Sequence, residues 1–138
     1  MQRLTQEILR LCREYGECRV EAERMEEARR VKNALESVCS MARQRLDISD
    51  PALLLALLDA CEVTRDEGML QEVLDVVGRN LDRLAVSAES VKLLACCYYY
   101  VEEEECVERA GRMLEELRKM GRGEGEWGEV ETILEELT

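Results

Sequence analysis

The residues that could do chemistry in this chain are cysteines, glutamates and tyrosines. Histidine is absent, which removes the commonest general base and the commonest metal ligand. Seven cysteines stand at 12, 18, 39, 61, 96, 97 and 106, without a CxxC pair among them. Zinc held by cysteine alone needs such paired spacing, so no metal or other cofactor is expected. The count is odd and most thiols fall beside apolar helical positions, where a free cysteine behaves as a small hydrophobe. Adjacent Cys96 and Cys97 on a helix cannot form an unstrained bridge. Core thiols of this kind suit a reducing compartment, cytoplasmic or nuclear. Glu102, Glu103, Glu104 and Glu105 form a carboxylate run. Catalytic carboxylates need two different environments, and four consecutive ones at a helix start point several ways into water. They complement the positive helix end and suit docking of a basic partner. The segment 121–128, GRGEGEWG, lacks the strand before it and the GK[ST] ending of a phosphate loop, and its own glutamates repel phosphate. No nucleophile and base stand in a convincing pair, so no catalytic residue is assigned.

Aromatic chemistry is concentrated in Tyr98, Tyr99, Tyr100 and the sole tryptophan, Trp127. Three consecutive helical residues fan through about 200°. One tyrosine can face the core while Tyr99 and Tyr100 keep exposed surface of the kind enriched at binding hot spots. Trp127 is expected either to fasten the last helix or to enter a partner's pocket.

The elements that position these groups are read from periodicity and capping signals. A helix is expected over 3–15, with Leu4, Ile8, Leu11 and Tyr15 at helical spacing and Gly16 as its stop. A longer helix is expected over 18–46, with Ala28, Val31, Leu35, Val38, Ala42 and Leu46 on its apolar face. Asp50-Pro51 is a start signal for PALLLALLDAC, apolar nearly all round, which places 51–63 at the centre of the fold. Asp66 is expected to cap 67–84, with Leu70, Leu74, Val77, Leu81 and Leu84 as its stripe and Val73 alongside. Ser87 is expected to cap 88–101, and 103–120 follows with Val107, Ala110, Leu114 and Leu117 inward. The glycine-rich linker 121–128 leads to a short last helix, 129–138, bearing Val130, Ile133, Leu134 and Leu137 on one side. No segment alternates as a strand does. The expected fold class is therefore all-α in one domain of about seven helices. Residues 1–47 form an N-terminal pair and 51–120 two hairpins, stacked in a right-handed array or closed as a bundle.

A shift of 37 residues overlays the two central hairpins. Leu54 falls on Val91, Leu57 on Leu94, Met69 on Cys106 and Val77 on Leu114. The match fails at Asn80 and Leu81. PALLLALLDACEVTRDEGMLQEVLDVVGRNL and AESVKLLACCYYYVEEEECVERAGRMLEELRKM resemble tetratricopeptide, pentatricopeptide or armadillo-like units over about half the chain. The tetratricopeptide proline after the second helix is absent. The resemblance implies a curved stack that binds a peptide or helix. ISDPALLLALLDA, a helix pair, EEEECVERAGRMLEELRKM and a glycine-rich bridge are also similar in layout to another family. That family is the C-terminal helical domain of the katanin regulatory subunit, and the likeness implies docking of a partner subunit.

Charge narrows the partners. The net charge is −12. It is uneven: residues 1–47 carry ten basic and nine acidic side chains, and 48–138 carry nine basic and 22 acidic. Such acidity opposes nucleic acid and anionic membranes and favours a basic or amphipathic segment of a partner protein. No run of 18 apolar residues is present to span a membrane. The expected function is a noncatalytic protein-interaction adaptor. The alternatives are a homo-oligomer closed through the 18–46 helix and a metal-dependent helical-bundle enzyme built on converging carboxylates.

Overall fold

Each of the three capping signals nucleates a helix where the sequence places it. A computed structural model describes residues 2–120, and every α-helix or short 3₁₀ turn cited below lies in that span. The Asp50 carboxylate accepts the Leu53 N–H at 3.2 Å, with Pro51 in the first turn. Asp66 accepts the Met69 N–H at 3.0 Å and Ser87 Oγ the Ser90 N–H at 3.1 Å. Six α-helices result: α1 (Gln2–Cys18), α2 (Met25–Arg43), α3 (Pro51–Thr64), α4 (Glu67–Arg79), α5 (Ala88–Val101) and α6 (Glu104–Lys119). The all-helical class stands among the described residues, with the six helices expected there. The expected linker 121–128 and last helix 129–138 lie outside the described residues.

The core is assembled around α3. Leu53, Leu54, Ala56, Leu57, Leu58, Ala60 and Cys61 are all buried. This helix touches α1, α2, α4 and α5, while α1 also lies on α2, and α5 on α6 and α4. No single amphipathic stripe could serve so many neighbours, which is why its sequence shows almost no polar face. No helix among the described residues is long and apolar enough to cross a membrane.

Three expectations are corrected. Gly16 does not stop α1, which runs on to Cys18. A methyl group added at Gly16 would meet nothing within 4 Å. Gly16→Ala should therefore stabilise the fold by about 0.5–1 kcal/mol, read as a higher melting temperature. The single helix over 18–46 is broken: Glu21 is extended, a 3₁₀ turn occupies Ala22–Arg24, and α2 begins at Met25. Arg24 braces this reversal, with Nε 2.9 Å from Glu27 Oε2 and Nη1 3.7 Å from Glu21 Oε2. The stripe expected to close a homodimer is used within the chain. Leu35 and Ala42 are buried in the core, with Val31, Val38 and Leu46 against it, and Ala28 is buried as well. Finally, α4 ends at Arg79 rather than at 84, because Asn80 folds its side-chain amide onto the Val76 carbonyl at 2.7 Å. A 3₁₀ turn follows at Leu81–Arg83.

The inward faces of α4 and α6 also differ slightly from the expected stripes. Met69, Val73 and Val77 are buried on α4, with Leu70 and Leu74 at its margin. Cys106 and Met113 join Ala110, Leu114 and Leu117 on α6, while Val107 is half-buried.

One long-range ion pair ties α2 to α4. The Arg43 guanidinium hydrogen-bonds both Glu72 carboxylate oxygens and lies 3.7 Å from Asp66 Oδ2. This pair holds the Glu72 carboxyl below its ordinary range.

Candidate functional site: a tyrosine–carboxylate cleft

The α5 terminus shows how a binding surface follows from local sequence. Tyr98 falls on the inner side and packs against the core, which turns Tyr99 outward. Tyr99 is 74% exposed. Its ring meets Tyr100 edge to face, with centroids 5.3 Å apart and planes at 88°. This geometry sets the positive edge of one ring against the negative face of the other. Tyr100 is half-buried; burial first, then the nearby Glu62 charge, pushes its phenol above the ordinary value. It therefore stays a hydrogen-bond donor at neutral pH.

Opposite the two rings lies the α3–α4 turn. Glu62, Arg65, Asp66, Glu67, Leu70 and the two tyrosines line a cleft of about 340 Å³, with Cys61 behind them. Three carboxylates face one guanidinium there. Asp66 is partly spent as the α4 cap and near Arg43. Glu62 and Glu67 make no ion pair among the described residues. A cleft walled by aromatic rings and free carboxylates attracts a cationic side chain, through both the ring quadrupole and direct charge.

The glutamate run is divided by the backbone. Glu102 ends α5 in the left-handed conformation, φ 52° and ψ 30°, and donates its N–H to the Tyr98 carbonyl at 2.8 Å. Glu103 precedes α6 in an extended conformation and lines a second cleft with Asp75, Arg79 and Cys106. Glu104 and Glu105 occupy the first turn of α6. All four are exposed. Thus Tyr99 and Tyr100 share one cleft, Glu102 adjoins it in sequence, and Glu103 borders another. Trp127 lies outside the described residues.

Glu62, Arg65 and Glu67 went unread at the sequence level. One signal was available: Asp59 and Glu62 are the only charges in an otherwise apolar α3, spaced to mark its solvent-facing strip. The α3 terminus repeats the α5 terminus, with Arg65 also left-handed at φ 58° and ψ 39°. Left-handed non-glycine residues cost of order 1 kcal/mol. The two among the described residues stand 37 positions apart, each ending a helix that borders the cleft.

Asp59 sits one turn before Glu62. Partial desolvation at the edge of the core, reinforced by the Glu62 charge, raises its carboxyl, although the side chain keeps contact with water. Its charge also bears on Cys12 of α1 and Cys96 of α5. A carboxyl raised in the folded state costs stability at high pH. The cost develops as pH rises from the ordinary carboxyl value through the raised one. Asp59→Asn should accordingly raise the melting temperature at pH 7, and the gain should vanish below about pH 4.

Six of the seven thiols are buried, Cys96 is half-buried, and all carry elevated pKa values. Burial pushes Cys12 up to about 11 and Cys39, Cys61 and Cys97 up to about 12. They are protonated and weakly nucleophilic at neutral pH. Among the described residues, no group of three or more cysteines and carboxylates converges as a metal site would. Comparison with family models, curated proteins and solved structures finds no match to this chain.

Proposed function

We propose that this chain is a noncatalytic helical adaptor that holds a basic segment of a partner protein at the Tyr99–Tyr100 cleft. The observation that carries the reading is a largely exposed tyrosine, paired edge to face with a second, opposite the carboxylates of Glu62 and Glu67. Lysine or arginine side chains are the ligand groups that such a cleft accommodates best. The protonated core thiols suit a reducing compartment.

The proposed architecture is a stack of three helix pairs, as the resemblance to helical-repeat families implies. Contacts support it: α1 touches α2, α3 touches α4 and α5 touches α6, while α1, α3 and α5 touch in series. A 37-residue repeat gains support from α3 and α5, which both run 14 residues and start and end in the same register. Their caps, Asp50 and Ser87, and their left-handed ends, Arg65 and Glu102, correspond. The overlay fails at Asn80 because α4 stops there while α6 continues. The α1–α2 pair is a divergent first unit.

Titration of a labelled arginine-rich peptide into the full chain tests the proposal. Binding should weaken with salt, and a glutamate-for-arginine peptide should not bind. Tyr99→Ala should cost about ten-fold in affinity, near the 1–2 kcal/mol of a partly desolvated cation–ring contact. Glu102→Gly should separate function from folding: relief of the left-handed strain raises the melting temperature, while loss of the charge weakens the peptide. Equal affinity for both peptides would refute the reading.

A further inference from the structure

The surface of the α1–α2 pair carries the opposite charge logic. A groove of about 480 Å³ runs between the first turns of α1 and the last turns of α2. Its floor is apolar. Leu4 and Val38 pack on the core with part of their surface open, and Met41 at the edge is 61% exposed. Its rim holds Arg3 and Arg45, neither of which makes an ion pair among the described residues. The one acidic lining residue, Glu7, accepts from Nε and Nη2 of Arg10, whose Nη1 donates to Glu14 at 2.6 Å. Arg10 draws the Glu7 carboxylate onto α1's own surface and offsets part of its charge, while Arg3 and Arg45, at the rim of the aliphatic floor, have no carboxylate partner among the described residues. Leu4 and Val38 come from facing helices, and Met41 follows Val38 by one turn. This is the shape that receives one side of a third helix, with anchors at i, i+3 or i+4, and i+7. Methionine, flexible and polarizable, suits such an adaptable surface.

We propose that this groove docks an acidic amphipathic helix of a partner protein. Aliphatic anchors enter between Leu4, Val38 and Met41, and flanking carboxylates meet Arg3 and Arg45. The site is separate from the tyrosine cleft and of opposite charge, so the adaptor would join a basic segment to an acidic one.

The test is fluorescence anisotropy on the full chain. The probe is a labelled synthetic helix of alanine, glutamate and leucine, with leucines at i, i+3 and i+7. Its lysine-for-glutamate counterpart is the control. The acidic helix should bind and the lysine helix should not. Met41→Glu, at an exposed position that folding does not need, should weaken binding about ten-fold or more. Arg3→Glu with Arg45→Glu should do the same and flatten the salt dependence. Tyr99→Ala should leave this probe unaffected. No binding at millimolar peptide, or affinity unchanged in Met41→Glu, would overturn the proposal. Replacing Glu129, Glu131, Glu135 and Glu136 by lysine in the full chain should leave affinity unchanged. A ten-fold rise would make the chain's own 129–138 segment the occupant and overturn the assignment to a partner.

Discussion

Leu57→Asp should abolish the fold, leaving little helical circular dichroism at 25 °C. Leu57 is 0% exposed, on a helix that touches four of the other five. An aspartate there would be a carboxylate inside an apolar cluster that holds no cation to pair it. The chain must then unfold or protonate the group, at a cost of several kcal/mol. Domains of this size have only about 5–15 kcal/mol to lose. The milder Leu57→Ala removes the same contacts without burying a charge. It should cost about 3 kcal/mol, a fall in melting temperature of roughly 10 °C. Leu55→Asp is the control, because Leu55 lies on the same helix but is half-buried at the margin of the core. If Leu57→Asp melted like the native chain, α3 would not be the centre of the fold.

Ser87→Ala is the second large effect expected, at about 2–3 kcal/mol. Two losses combine. Ser87 Oγ accepts the Ser90 N–H at 3.1 Å, and removing such a helix cap costs about 1 kcal/mol. The same hydroxyl donates to Ser90 Oγ at 3.0 Å, and Ser90 is 0% exposed. A buried hydroxyl that loses a partner contributes a further penalty of about 1–2 kcal/mol. The double variant Ser87→Ala with Ser90→Ala should recover that second part, because no buried hydroxyl is then left short of a partner. Chemical denaturation of the three variants checks this coupling. A double variant as unstable as the sum of both singles would refute it.

The start of α3, α4 and α5 was legible because each begins with a polar acceptor that cannot do the same work elsewhere. Asp50, Asp66 and Ser87 each satisfy an otherwise orphaned N–H. The central place of α3 was legible from its lack of a polar face. The reversal at 19–24 was not. No glycine or proline marks it, and the spacing of Val31, Leu35 and Val38 is unchanged by where the helix begins. The ends of α3 and α5 were read to within one residue, although Arg65 and Glu102 occupy the conformation usually marked by glycine. The exposure of Tyr99 could be read from three consecutive tyrosines, whose arc of about 200° exceeds what a helix end at the margin of the core encloses. Glu62 and Glu67 could not be read as its neighbours, because only the packing of α3 on α5 brings them opposite.

The most direct test of a basic-segment adaptor is an amide chemical-shift titration of the isotope-labelled chain with an arginine-rich peptide. The account predicts saturable shifts at Glu62, Arg65, Glu67, Tyr99, Tyr100 and Glu102, with the α1–α2 groove unmoved. Shifts confined to other surfaces, or none at millimolar peptide, would contradict it.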